Sequence, residues 1–357
     1  MSAVASSLLR RGMEVANSPD GPRLPQNIQL STWGVVVVAL TGFAFVLAGA
    51  AIQYTYGIIV PTLAAIEDPN PDIYVRIDSD QNASKCAADE AGMPLSPPKP
   101  ITSKLRTTIR HLTARAGRWA RFRGLKMYIA WAVASTVVVG LLEIPLVHAR
   151  FFGRSVARVL AEILLANLEM AWIHIVISEP STKPFYKRIP GRKSWAKIAP
   201  AAALRVAAFQ IALYLPLAIM TAFHNSFTPD VSVGRMIGAT IGVLVAFLAL
   251  AVLVGVPATV TFIRVAASML PEEDEAIVPF DRTFGGKVIP TILGGSGKIG
   301  LLEAWKSFDW GSRARFMKVL VKVFMMELAL VILFALILVG EISLFAKEPV
   351  GNSIPLF

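Results

Sequence analysis

The sequence predicts an all-α, polytopic integral membrane bundle of six transmembrane helices, and three observations carry the prediction. Apolar residues make up 55% of the chain and charged residues 17%, against about 45–50% and 25% in a soluble domain. Uncharged runs reach the roughly 20 residues that a lipid core about 30 Å thick demands of a helix. The basic residues, finally, collect in alternate connecting segments, as a multi-pass chain obeying the positive-inside rule must arrange them. A mean hydropathy of +0.59 over 357 residues also excludes a disordered chain. The single Cys86 excludes a disulfide scaffold or a multi-thiolate metal site.

Along the chain, a polar tail over 1–32 comes first and lacks the apolar core of a secretory signal. Its Ser6 to Met13 stretch, with Arg10 and Arg11, has a slight likeness to a mitochondrial presequence that the adjacent Glu14 weakens. The first span, 33–66, has no ionisable acid or base in 34 residues, and the fifth, 236–263, none in 28. Both exceed a perpendicular crossing, so tilt or a kink is expected, and Pro61 and Pro257 are the natural hinges. The second span, 127–147, carries Glu143; the fourth, 199–223, carries Arg205; the sixth, 319–345, carries Lys322, Glu327 and Glu341. A short tail, 346–357, ends the chain.

The third span, 157–177, holds Arg158, Glu162, Glu169 and His174. On one straight helix at about 100° per residue, the first three share a narrow stripe and His174 lies on the opposite side. Such a helix either crosses with its stripe toward protein or water, or lies in the membrane interface.

Three large loops, 67–126, 178–198 and 264–318, hold 11, 6 and 8 of the 35 Lys and Arg residues. They are therefore expected on one face, matrix or cytosolic, with both termini opposite. The net charge of +11 then reports orientation rather than a nucleic-acid partner. Trp119 and Phe122 flank the next span instead of forming a platform for bases. Loop one is acidic and Pro-rich as far as Pro100, but Lys104 to Lys126 has eight basic residues and no acid. That stretch either docks on anionic lipid headgroups or serves as topogenic charge alone.

Chemistry-bearing motifs are sparse. Gly294 to Lys298 looks like a phosphate loop, but Ile292 and Ile299 stand where the pattern needs glycine and Ser/Thr. Glu272 to Glu275 lacks alternating oxygen-ligand spacing and reads as a solvated face. His111, His148, His174 and His224 lie far apart, and no nucleophile, base and orienting group cluster, so neither an enzyme nor a cofactor is predicted. Asn82-Ala83-Ser84 is a formal glycosylation acceptor on the cationic side, where no glycan is expected.

Ionisable residues inside the spans are the strongest functional signal, because a charge at mid-bilayer costs about 2.5–3.5 kcal/mol on insertion scales. Glu162 and Glu169 would find their counter-ion in Arg205, unless Arg205 snorkels to the interface. Gly238 and Gly242 are spaced for close helix contact.

Weak internal echoes divide the spans into three pairs. Phe122-Arg123-Gly124, Trp195-Ala196-Lys197 and Trp305-Lys306-Ser307 precede the even spans, and Val60-Pro61 and Val256-Pro257 close the first and fifth. Glu143-Ile144-Pro145-Leu146, Tyr214-Leu215-Pro216-Leu217 and Glu341-Ile342-Ser343-Leu344 come late in the even spans. The arrangement resembles the mitochondrial carrier family, with three repeats of two helices and an opening motif Pro-x-acid-x-x-base-x-base at the end of each odd helix. Pro257 and Arg264 match that motif's proline and last base, while Thr259 and Phe262 replace its acid and base. Pro61 matches only the proline, since Leu63 and Ile66 stand at the charged positions.

The resemblance implies a small-molecule solute carrier. Odd helices kinked at Pro61 and Pro257 would surround a cavity lined by Glu162, Glu169 and Arg205. Glu143 with Arg150, and Glu341 with Lys347, would form gate ion pairs on the terminal side. It also implies a mitochondrial membrane. A carrier fold without its gate charges could equally serve as a transport-inactive adaptor. The reading from a different class is a polytopic scaffold of the endoplasmic reticulum whose basic loops bind anionic lipid or a protein partner.

Overall fold

The computed structural model of the chain describes residues 31–68, 100–146, 150–225, 233–289 and 293–345. Ser6 to Met13, Asn82, His148 and Lys347 lie outside the described residues, as does the side chain of Arg150.

Every named element is helical. The first apolar run forms α1 (Thr32–Ile52), a π-helical turn (Gln53–Ile59) and α2 (Val60–Ile66). Next come α3 (Leu105–Ala116), α4 (Leu125–Glu143), α5 (Arg150–Leu164), α6 (Ala166–Ile177) and α7 (Arg192–Asn225). The fifth run forms α8 (Val233–Leu250), a second π-helical turn (Ala251–Gly255) and α9 (Val256–Ser268). A short α10 (Leu301–Lys306) and the long α11 (Trp310–Phe345) close the order. Among the described residues, five helices are long and apolar enough to cross a membrane, six if α5 and α6, bent by 58°, count as one broken span. Their exposed apolar side chains, among them Leu40, Phe43, Val245 and Leu336, fit an integral membrane protein.

Proline explains two interruptions. Pro61 and Pro257 lack an N–H, and each ring crowds the carbonyl four residues back. Widening the turn just before relieves that crowding, and the two π-turns end one residue before Val60-Pro61 and Val256-Pro257. The third span departs from its expected single stripe. It breaks at Leu165, where φ is −97° and ψ is 8°, so Arg158 and Glu162 ride on α5 while Glu169 and His174 ride on α6. Helices α7 and α11 begin earlier than their apolar stretches, at Arg192 and Trp310, because hydropathy marks lipid depth rather than the end of a helix. At Gly238 and Gly242 a Cβ would meet nothing within 4 Å, so among the described residues no close helix contact uses them.

The chain divides into two compact units. In the first (1–51, 227–241 and 325–357), α1 packs antiparallel to the end of α11. The Ser31 N–H donates to the Phe345 carbonyl at 3.1 Å, Phe45 meets Phe334 at 4.8 Å between ring centroids, and the Thr41 hydroxyl donates to Glu341. A Cβ on Gly34 would lie 2.5 Å from Phe345 Cβ, so this approach needs glycine.

The second unit (52–226 and 242–324) holds the core. Helices α2, α6 and α9 each pack against the other two, burying Leu63, Met170, Ile173 and Phe262 almost completely. Inside a bilayer the lipid tails are as apolar as leucine, so packing and polar ties must hold such a triangle. His174 Nε2 lies 2.8 Å from the Ala266 carbonyl, tying α6 to α9, and Arg264 Nη1 donates to the Ala65 carbonyl at 2.9 Å, tying α9 to α2.

The segments after these three helices meet one another. Arg123 donates to the carbonyls of Ile175 and Ser178, and Arg315 to that of Glu67 at 3.1 Å, satisfying helix-end carbonyls left without partners. The Asp68 N–H donates to the Pro279 carbonyl, and the Ile277 N–H to that of Ile177. The acidic run is a solvated face at Glu272, Glu273 and Glu275, which are exposed, whereas Asp274 turns inward to a largely buried ion pair with Arg188 at 3.0 Å. The predicted phosphate-loop look-alike is a turn in which Gly294 and Gly297 adopt positive φ and Lys298 Nζ donates to the Lys197 carbonyl.

Candidate functional site

The polar centre of the second unit starts from the break at Leu165. Because α5 and α6 diverge there, each presents one glutamate to α7. Arg205 Nη2 lies 2.6 Å from Glu169 Oε2 and 3.3 Å from Glu162 Oε2. Both carboxylate side chains are 8% exposed and Arg205 is 23% exposed, so the arginine is paired rather than snorkelled. Ser135 on α4 supports Glu162 at 3.5 Å, and the guanidinium sits 4.7 Å from the centre of the Phe262 ring on α9. Arg158, expected on the same stripe, is exposed. Two carboxylates around one guanidinium leave a net charge of about −1 with all three ionised.

A cavity of about 200 Å³ opens beside this cluster. Five helices reach it, through Pro61 on α2, Tyr128 and Trp131 on α4, Glu169 on α6, Arg205 on α7 and Thr259 on α9. Glu162 joins through Arg205. Of the hinge prolines, Pro61 lines the cavity, and Pro257 opens α9 two residues before Thr259.

One wall is aromatic, and the sequence reading missed it. The Tyr128 ring lies 5.5 Å from Trp131, 5.8 Å from Trp172 and 5.2 Å from Tyr54. Trp172 Nε1 donates to the Tyr54 hydroxyl at 3.2 Å, which in turn donates to the Arg123 carbonyl at 2.6 Å. Gly124, with φ of +74°, makes room for this wall, since a Cβ there would stand 3.1 Å from Trp172 Cδ1. Thus each member of the Phe122-Arg123-Gly124 echo touches the core, and Arg123 and Gly124 have separate tasks. The available signal was Tyr128 and Trp131 three residues apart, hence on one face of an otherwise aliphatic span. Trp131 and Arg205 line the cavity, but Trp131 Nε1 and Arg205 Nε are themselves closed off from it and have no hydrogen-bond partner among the described residues.

Of the expected terminal-side gate pairs, only Glu143 and Glu341 can be placed, since the side chain of Arg150 and all of Lys347 lie outside the described residues. Glu143 meets Arg154 at 3.2 Å, an ion pair in which the arginine side chain is largely exposed. Glu341 accepts from Thr41, and its Oε2 is buried without a partner among the described residues.

Outside the spans, a second cavity of about 320 Å³ lies between Glu67, Asp68, Arg264, Asp281 and Asp309. Burial pushes the Asp281 carboxyl up, but hydrogen bonds from the Gly285 N–H and from the Thr283 hydroxyl and N–H outweigh it, and its pKa falls below the ordinary value. Burial, with the Lys197 charge next, lowers the pKa of Lys298. No cluster of three metal-ligating side chains occurs among the described residues.

No protein-family model matches this sequence, and no curated protein matches it.

Proposed function

We propose that the protein is a carrier-type membrane transporter for a small solute, with six spans in three pairs and its binding site at Glu169, Arg205 and, through Arg205, Glu162. The observation that carries the proposal is the cavity with a buried ion cluster where five helices converge. Charge so placed in an apolar bundle has a use at a solute pathway. The mutual packing of α2, α6 and α9, each preceded by an interruption, supports the likeness to mitochondrial carriers. In that family charged residues close this end. Here Leu63 and Phe262 stand in those places and are buried, so opening would separate apolar contacts together with the His174 and Arg264 ties.

That apolar closure also favours a second reading, a transport-inactive adaptor with the same fold. Proteoliposome flux decides between them. A panel of amino acids, carboxylates and nucleotides should include a solute with saturable uptake that Glu169→Gln reduces at least tenfold. Uptake by no member of the panel, from protein shown to be folded, favours the adaptor.

The three loops, in mutual contact, would face the matrix or cytosol in a mitochondrial membrane, with the endoplasmic reticulum the alternative residence; a fluorescent tag separates the two. Helix α3 buries Thr108, Ile109 and Leu112 and exposes Arg106 and Arg110, which fits a basic helix against anionic headgroups. No nucleic-acid partner is proposed.

A further inference from the structure

The cavity's lining points to a class of solute, a deduction resting on the transporter reading above. We infer that the cavity binds a small organic cation, a protonated alkylamine, held between Glu169 and the aromatic wall.

Charge favours a cation. One guanidinium serves two buried carboxylates, so the cluster keeps an excess of about one negative charge with all three ionised. Glu169 lines the cavity and Glu162 does not. Glu169 accepts from Arg205 through Oε2 at 2.6 Å, while its Oε1 takes no hydrogen bond from any described residue and is not sealed off. Arg205 reaches the same space, but its charge is shared between the two carboxylates and its guanidinium rests on the Phe262 ring. An ammonium group at Oε1 cancels the excess, whereas a carboxylate would double it.

The rings point the same way. Trp172 and Ile173 follow Glu169 by three and four residues on α6, so they share its face, and all three line the cavity. Trp172 spends its N–H on the Tyr54 hydroxyl, and that of Trp131 is closed off from the cavity. Neither indole therefore offers a donor to an anion. Both present ring carbon, and a ring face attracts a cation within about 6 Å of its centre. Tyr128, 5.5 Å from Trp131 and 5.8 Å from Trp172, supplies a third ring. Ile58, Ile173 and Ile263 give an alkyl stem an apolar bed. A calcium ion takes roughly six to eight oxygen ligands, more than such a lining supplies. A space of about 200 Å³ fits a cation of a few heavy atoms and excludes a nucleotide.

The test uses the full-length protein purified in detergent and amine-free buffer at neutral pH, with thermal stabilisation and calorimetry as readouts. The probes share one alkyl stem: isoamylamine, which is an ammonium ion at this pH, isoamyl alcohol, which is neutral, and isocaproate, which is an anion. Isoamylamine should stabilise the protein, and the other two should bind at least tenfold more weakly. Glu169→Gln should weaken isoamylamine at least tenfold and leave isoamyl alcohol unchanged. Trp131→Leu removes one ring without stranding a partner, and it should weaken isoamylamine several-fold, again without effect on the alcohol. This second variant, and the comparison of probes on the unaltered chain, decide the matter if Glu169→Gln does not fold. Equal binding of the amine and the alcohol overturns the inference, as does isoamylamine affinity that neither variant alters. The proteoliposome panel, widened to isoamylamine, separates this inference from the reading beneath it. Saturable flux of another solute, with no binding of isoamylamine, overturns the cation and keeps the transporter. Binding of isoamylamine without flux of any solute keeps the cation site and overturns the transporter, and neither binding nor flux overturns both.

Discussion

The first and fifth apolar helices and the third are interrupted at comparable places by different means. Where Pro61 and Pro257 stand, one wide π-turn absorbs the missing N–H, and the chain carries no charge through the interruption. The third has no proline at its break. It comes apart at Leu165 with a bend of 58°, and it brings two carboxylates to the interior. On a straight helix Glu162 and Glu169 would stand about 10.5 Å apart along the axis. Broken, each segment presents its own glutamate to the same guanidinium nitrogen. The kinked helices thus supply the walls and closure of the site, and the broken one supplies its charge.

Removing the arginine attacks the charged half of this comparison and has the largest expected effect. Arg205→Met alone strands two buried carboxylates and should cost about 3–5 kcal/mol of stability in detergent. Adding Glu162→Gln and Glu169→Gln to it should recover most of that loss. A single substitution costing under about 1 kcal/mol would mean that the cluster is not buried as described.

Next in size is the aromatic packing of α6. Gly124→Ala forces a left-handed residue to carry a Cβ, at about 1–2 kcal/mol, and presses that Cβ on Trp172. Trp172→Ala clears that space and provides the control: made in its background, Gly124→Ala should carry the backbone penalty alone. An equal loss in both backgrounds would show that Trp172 does not feel the added methyl group.

The proline hinges should show the smallest effect. Pro61→Ala and Pro257→Ala return an N–H and free the unfolded chain, for a net loss of about 0.4–1 kcal/mol each. Hydrogen exchange over Gln53–Ile59 and Ala251–Gly255 should slow as the π-turns tighten into α-helix. Unchanged exchange there would assign the wide turns to packing against neighbouring helices instead of to proline.

Much of the local architecture was legible. Uncharged runs located the first and fifth spans, and Pro61 and Pro257 marked their hinges, because length in lipid and the missing N–H act within the chain itself. Glu162, Glu169 and Arg205 could be joined because an ionisable residue inside a span needs a partner, and few candidates existed. The break at Leu165 was not legible: Leu is a good helix former, and nothing beside it interrupts the pattern. The early starts of α7 and α11 escaped too, since Arg192, Lys193, Arg313 and Arg315 resemble loop charges until their partners are seen. Arg315 serves the Glu67 carbonyl, 248 positions away in sequence.

By itself, then, the sequence determined an all-helical apolar chain, its interruptions at proline and its three cationic loops. Each follows from neighbouring residues meeting lipid or water. Only the tertiary structure decided that Arg205 pairs instead of snorkelling, that Trp131 shares a cavity with it, and that Asp274 is clamped instead of solvated. A buried charge or an indole N–H takes its role from whatever side chain lies within about 3 Å of it. Residues far apart in the chain provide that neighbour.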